Sequence, residues 1–309
     1  MKRILIITFI CLIVILSTYS IKAFSVNSSN SAFFGGVLDI FSKNEGSVYP
    51  KQKITSLSFP ELSAKAYLAI YEGSSGKKYL VIHNADEKLP IASITKITTA
   101  MVALNSSGSL LAQFSTSTIG IGTSNRYSIG DILPVKELVK SMLVESDNDA
   151  ARAICENESG NIIERMNSFA NYSGAKSTHF FDCTGLDGEW GGTNVSTASD
   201  VATLLSTLVE KHPELVDIMT MPAASILRMD GSLHHTAVST YEFLEQDLPF
   251  QIIGGKTGQT DLAKQNLVLA LKAPKGILYI VVLGSDDRVS DMKKLADYVK
   301  ENFEWNNAQ

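Results

Sequence analysis

Near each end of the chain an apolar segment doubles back on itself, and this pairing constrains the fold more than any other feature. Ala66 to Tyr71 is followed by Gly73-Ser74-Ser75-Gly76 and then by Tyr79 to Ile82; Asn266 to Leu271 and Ile277 to Leu283 flank Ala273-Pro274-Lys275-Gly276. Apolar runs rich in β-branched and aromatic residues around a short Gly-bounded connection predict β-hairpins. Between the hairpins the periodicity is helical, over Ile94 to Leu104, Pro134 to Val144, Ala150 to Cys155, Ile162 to Tyr172 and Ala198 to Lys211, and a charged amphipathic helix runs from about Val289 to Phe303. Strands, many helices, then strands predict a layered α+β domain: an antiparallel sheet from both chain ends, flanked by helices, with an inserted helical region.

The amino terminus reads differently. Lys2-Arg3 precede Ile4 to Leu16, an almost unbroken apolar run too short to span a bilayer comfortably, so residues 1–23 are expected to be a signal peptide or an uncleaved signal anchor. Residues 24–60 are rich in Ser, Asn, Gly and Lys without sustained periodicity and are expected to be a flexible tether, with the catalytic domain over 61–309. The expected location is extracytoplasmic, on the periplasmic or cell-wall side, either membrane-tethered through the amino-terminal segment or secreted. A net charge of −5, with no basic stripe, argues against nucleic acid as a partner. Neither CxxC nor HExxH occurs and the five histidines have no metal-ligand spacing, so no metal or other cofactor is expected. Cys11 lies in the signal; Cys155 and Cys183 are then the possible disulfide pair, and spacing cannot show whether they meet.

Three motifs carry the chemistry. Ser93-Ile94-Thr95-Lys96 opens a helix, so residues three apart share a face and Lys96 reaches the Ser93 hydroxyl, while the helix start supplies unpaired N–H groups. The pattern alone is weak, because Ser74/Lys77, Ser75/Lys78, Ser173/Lys176 and Ser290/Lys293 also match it. Ser146-Asp147-Asn148 sits between two helical patterns and, taken singly, reads as a capped helix-helix turn. Gly255-Lys256-Thr257-Gly258-Gln259 follows the apolar Phe250 to Ile253; it is no phosphate-binding loop, since Phe250 stands where that motif needs a glycine. A strand carrying Lys256 and Thr257 to a cleft fits better, with glycines permitting close backbone approach.

Together, in this order and about fifty and then about one hundred and ten residues apart, these are the signature set of penicillin-recognising serine enzymes. The sequence resembles the D-alanyl-D-alanine carboxypeptidases, the low-molecular-mass penicillin-binding proteins, over about Leu62 to Phe303. The resemblance rests on Pro90 to Thr99, Ile129-Gly130-Asp131 to Ala150, Phe181 to Leu186 and Gly255 to Thr260. It departs at Phe181-Asp182-Cys183-Thr184-Gly185-Leu186, which lacks the common Asn-Pro, and at Gln259, where an aromatic residue or His is frequent. The carboxy-terminal β domain and anchoring helix of many relatives do not follow the last helix, so any tethering is expected from the amino terminus.

The resemblance implies a penicillin-binding/β-lactamase-like transpeptidase fold. It also implies an enzyme trimming peptidoglycan stem peptides that end in D-Ala-D-Ala, with β-lactams as covalent inhibitors. Ser93 would be the nucleophile, Lys96 its base and Ser146 the proton relay to the leaving amine. Asn148 would hold Lys96 and bind the substrate, Lys256 and Thr257 would bind the terminal carboxylate, and Gly258 and Gln259 would line the substrate strand, with the N–H groups of Ser93 and Gln259 as the oxyanion hole. The alternatives are a D,D-endopeptidase on cross-links, a β-lactam-acylated sensor with slow turnover and, last, a class A β-lactamase. That enzyme needs a glutamate in a Glu-x-Glu-Leu-Asn setting, and Glu156, Glu158, Glu164 and Glu189 are not in one.

Overall fold

The computed structural model describes residues 49–53, 57–105, 111–115, 117–120, 125–158 and 160–305. Two compact units are distinguished, Met1–Asp39 and Ile40–Gln309, and all described residues belong to the second. The expected signal and residues 24–48 of the expected tether lie outside the described residues. Among the described residues no helix is long and apolar enough to cross a membrane.

The two hairpins meet in one five-stranded sheet. Its strands are β1 (Ala66–Gly73), β2 (Gly76–His83), β3 (Gln251–Thr260), β4 (Lys264–Ala273) and β5 (Gly276–Ser285), in spatial order β3-β4-β5-β1-β2 with every neighbour antiparallel. The seam between the chain ends is the β5–β1 ladder, which pairs Gly276 with Gly73 and Leu283 with Ala66. At the centre of the sheet β5 is buried along its whole length, which explains why Ile277 to Leu283 is continuously apolar rather than alternating.

Among the described residues, seven α-helices accompany the sheet: α1 (Lys96–Leu104), α2 (Val135–Val144), α3 (Asn148–Asn157), α4 (Ile162–Tyr172), α5 (Ala198–Lys211), α6 (Pro213–Met219) and α7 (Arg288–Asn302). On one face of the sheet, Ala69, Leu267, Leu269, Leu278, Ile280 and Val282 pack in a single cluster with Met292, Leu295, Ala296 and Val299 of α7. Helix α5 packs against β5, β4 and β1. Ladder partners alternate between the two faces, so each strand feeds both layers.

Several elements differ from the sequence reading. The helix expected from Ile94 begins as a 3-10 turn, Ala92–Thr95, before α1. Pro134 precedes α2 rather than opening it, in extended backbone, as a residue lacking an N–H can. Helix α6 and a two-stranded ribbon, Ala223–Leu227 with Leu233–Val238, carry too little apolar periodicity to be read from sequence. The last part of the expected tether is held to the domain: Lys51–Gln52 pairs with Phe303–Glu304, and the Lys53 N–H donates to the Asn302 carbonyl at 2.9 Å.

A buried carboxylate locks the start of β1 to the start of α7. Asp291 Oδ2 accepts from Ser63 Oγ at 2.8 Å and Ser285 Oγ at 2.6 Å, and the Ser63 N–H lies 3.1 Å from both carboxylate oxygens. Asp291→Ala leaves three donors without their acceptor and is expected to destabilise the domain by about 3 kcal/mol. In urea unfolding this appears as a lower midpoint at unchanged slope.

Candidate active site

Ser93 lies in the 3-10 turn that feeds α1, and Lys96 is the first residue of α1. The local chain therefore places the amine beside the hydroxyl, with Lys96 Nζ 2.7 Å from Ser93 Oγ. Two further oxygens complete the amine's surroundings at the same distance, 2.7 Å: Asn148 Oδ1 and the carbonyl oxygen of Thr184. Lys96 has no solvent exposure (0%). Burial lowers its pKa from the ordinary lysine value to about 7, against the opposing pull of Asp182, Asp147 and Glu189.

Proton counting gives this cluster a direction. A carbonyl and an amide oxygen can only accept, so a neutral Lys96 spends both N–H bonds on Asn148 and Thr184. Its lone pair is left for the remaining neighbour, the Ser93 hydroxyl. The arrangement can take a proton from Ser93 once Lys96 has lost its own.

Ser146 and Asn148 flank the cap of α3. Asp147 accepts from the Ala150 N–H at 3.0 Å, so the capping role readable from sequence is present. Ser146 adopts φ +62, a left-handed conformation uncommon for a residue with a Cβ. Its hydroxyl oxygen accepts from Lys256 Nζ, on β3, at 2.8 Å. Lys256 is also fully buried, donates to the Thr257 carbonyl at 2.9 Å and stands 5.3 Å from the Tyr241 ring centre. Burial first, and then the cations of Lys96 and Arg288, push its pKa well below the ordinary value.

Strand β3 runs against the 3-10 turn at Gly258. A Cβ there would sit 2.6 Å from the Ile91 carbonyl oxygen and 3.2 Å from the Ser93 nitrogen, so glycine is what lets the two backbones touch. Thr257 is buried, and the side chain of Gln259 accepts from Arg288 at 3.3 Å. Ser93, Lys96 and Asn148 thus form one hydrogen-bonded group, Ser146 and Lys256 a second, and Gly258 abuts the turn that carries the first.

The sequence marks Phe181 to Leu186 as part of the family resemblance but gives this loop no role in the site, where it closes the Lys96 pocket. Asp182 Oδ1 accepts from the N–H groups of Thr184 and Gly185, each at 2.6 Å, and so turns the Thr184 carbonyl toward the amine. Asn194 ties this loop to the serine's turn, accepting from Phe181 N at 2.6 Å and donating to Thr95 Oγ1 at 3.0 Å. Gly185 has φ +86, and a Cβ would lie 2.0 Å from the Ala92 carbonyl oxygen. The contact to Lys96 is made by a main-chain carbonyl, so no residue type announces it. Cys155 and Cys183, whose pairing the sequence leaves open, form a disulfide between α3 and this loop.

Beside Ser146, potential ligand atoms of Glu145, Asp147 and His235 lie within 4.8 Å of one another. Glu145 is ion-paired with Arg126 and accepts from Ser141 Oγ at 2.8 Å, while Asp147 caps α3, so both carboxylates already have protein partners.

A serine beside a buried, deprotonatable lysine, faced by a lysine-bearing strand of an antiparallel sheet, defines the class: an active-site serine enzyme with the penicillin-binding fold. A family model described as D-alanyl-D-alanine carboxypeptidase matches residues 53–287, and the chain belongs to that family. It is 30% identical over 214 residues to a D-alanyl-D-alanine endopeptidase of Pseudomonas aeruginosa, covering 67% of either chain. It is 28% identical over 271 residues to the D-alanyl-D-alanine carboxypeptidase DacA of Escherichia coli K12, covering 79% of this chain and 62% of that one. The matched region therefore spans about two thirds of these relatives' own length. A crystal structure of penicillin-binding protein D2 from Listeria monocytogenes, in a cefotaxime-bound form, superposes with a TM-score of 0.66 at 26% identity, covering 79% of this chain and all of that one.

The lowered pKa predicts the pH profile of serine acylation. Below about 7 the fraction of Lys96 in its basic form falls tenfold per pH unit. The rate of acylation by a fluorescent penicillin should rise with pH and level off above about 7, and a limb near the ordinary lysine value would overturn the assignment of Lys96 as base.

Proposed function

We propose that the protein is a serine-type D-Ala-D-Ala carboxypeptidase that trims peptidoglycan stem peptides through an acyl-enzyme on Ser93. The observation that carries this reading is the Lys96 amine, 2.7 Å from Ser93 Oγ and with its other two neighbours obligate acceptors. Family membership supports the substrate class.

In this reading Ser93 Oγ attacks the carbonyl carbon of the penultimate D-Ala while its proton passes to Lys96. The developing oxyanion is received by the N–H groups of Ser93 and Gln259. Ser146, held by Lys256, relays that proton from Lys96 to the departing amine; the C–N bond breaks, D-Ala leaves and Lys96 is neutral again. Asn148 holds the base and binds the substrate's backbone amide, and Lys256 and Thr257 bind the terminal carboxylate by charge-assisted hydrogen bonds. Gly258 keeps the substrate strand against the serine's turn. Water then attacks the ester, Lys96 taking its proton and handing it to Ser93 Oγ as the bond between that oxygen and the acyl carbon breaks, which frees the shortened peptide and restores the enzyme. A β-lactam presents the same carboxylate and a reactive carbonyl, so it acylates Ser93; the cefotaxime-bound relative supports this. The basic and apolar amino-terminal segment supports an extracytoplasmic, membrane-tethered location.

The test is release of free D-Ala from a diacyl-Lys-D-Ala-D-Ala peptide by protein beginning near Tyr49. Penicillin-sensitive release is expected, lost in Ser93→Ala together with covalent penicillin labelling. Labelling without release, accompanied by cleavage of cross-linked dimers, would replace the reading by the endopeptidase activity named for the Pseudomonas relative. Ser146→Ala is expected to lower kcat about a hundredfold to ten-thousandfold. A loss below about threefold would remove Ser146 from the proton path.

A further inference from the structure

The Lys96 pocket is assembled from three separate pieces of chain. Helix α1 brings the amine, the first residue of α3 brings Asn148 Oδ1, and the loop before Gly185 brings the Thr184 carbonyl. The last two are the obligate acceptors that leave the lone pair facing Ser93, so the direction of that lone pair depends on the position of one acceptor relative to the other. The disulfide joins these same two pieces. Cys155 follows Asn148 by seven residues, two turns along the same face of α3, and Cys183 is the residue before Thr184. The Cys183 carbonyl also accepts from Thr99 Oγ1 at 2.9 Å, one turn beyond Lys96 on α1. Both half-cystines are buried, with 6% and 1% exposure, so the bond lies within the packing behind the pocket.

We propose that the Cys155–Cys183 disulfide is a positioning element for the serine's base: it fixes Asn148 Oδ1 and the Thr184 carbonyl to one another and thereby holds the Lys96 lone pair on Ser93 Oγ. This rests on the reading of Lys96 as the base. Without the bond, α3 and the loop shift independently, one acceptor separates from the amine and water takes its place. The charged groups facing Lys96 are Asp182 and Glu189 from the loop side, Asp147 at the start of α3 and Lys256 on β3. A hydrated Lys96 beside these three carboxylates holds its proton more tightly.

The experiment compares pH profiles of acylation by a fluorescent penicillin for wild-type protein, the double variant Cys155→Ala/Cys183→Ala and Val299→Ala. Val299 is a buried α7 residue packed on the sheet, and its truncation serves as a control for lost stability alone. All three are measured well below their melting temperatures. The double variant is expected to show its acid limb displaced upward by at least one pH unit, with acylation at pH 7 reduced about fivefold or more and largely recovered near pH 9. Val299→Ala is expected to keep the wild-type limb. A double variant that loses stability but keeps the wild-type limb would overturn the proposal and leave the disulfide a brace of the fold. Absence of a limb near pH 7 in the wild type would instead overturn the reading of Lys96 as base. If the double variant does not fold, the wild type is reduced in urea with dithiothreitol, whose two thiols supply the electrons that convert the disulfide to two cysteine thiols. It is then refolded in the same reductant and subjected to the same measurement and criteria.

Discussion

The structure depends on the burial of one amine. Lys96 sits without solvent contact at the junction of α1, α3 and the loop before Gly185, and every polar neighbour it has is an oxygen supplied by a different part of the chain. Removing a cation from water is costly, and the fold answers by lowering the pKa so that the group is largely neutral above about pH 7. A neutral amine donates twice and accepts once. With two acceptors that cannot donate, the third direction is assigned to Ser93 by exclusion.

Around this amine the backbone is held in conformations a free chain seldom adopts. Ala92 has φ +49 and Ser146 φ +62, and the two residues lie directly before Ser93 and directly before the cap of α3. Such strain costs on the order of 1–3 kcal/mol per residue and persists where the surroundings over-determine it. Here those surroundings are explicit: β3 touches the turn at Gly258, Asn194 bonds to both the turn and the loop, and Lys256 holds the Ser146 hydroxyl. The five-stranded sheet fixes β3, because β3 pairs with β4 along its length and β4 pairs in turn with the fully buried β5. A sheet made from both chain ends therefore orients a site whose serine and base lie on helices outside it.

Much of this was legible in the sequence, for stated reasons. The hairpins were visible because turn glycines interrupt apolar runs, and most helices because their buried faces repeat. The ribbon Ala223–Leu227 with Leu233–Val238 was not, since Ala223-Ala224-Ser225 give the first strand's exposed-buried alternation little apolar contrast, and the second strand alternates irregularly and carries two adjacent histidines. At Ser146-Asp147-Asn148 the plain reading and the chemical reading proved compatible: Asp147 caps the helix, and the same cap holds Asn148 toward the amine. Lys51–Gln52, within the expected tether, instead pairs with the short strand Phe303–Glu304 that follows α7, and the sequence does not show this because a short exposed strand carries no apolar pattern that separates it from a linker.

By itself the sequence determined what one helical turn can determine: that Ser93 and Lys96 share a face, that a capped turn at Ser146-Asp147-Asn148 opens a helix, and that Lys256 and Gly258 lie on a glycine-rich strand. Rules of spacing reach three or four residues, and the order of three motifs adds a family likeness without a geometry. Tertiary structure alone decided that Asn148, 52 residues from Lys96, and the Thr184 carbonyl, 88 residues away, converge on one nitrogen. It also decided that Lys256 reaches Ser146 across 110 residues and that Cys155 meets Cys183. The physical reason is that these contacts are selected by burial and hydrogen-bond satisfaction in the packed interior. The Thr184 contact is made by a backbone atom that every residue type possesses, so it leaves no trace in the sequence.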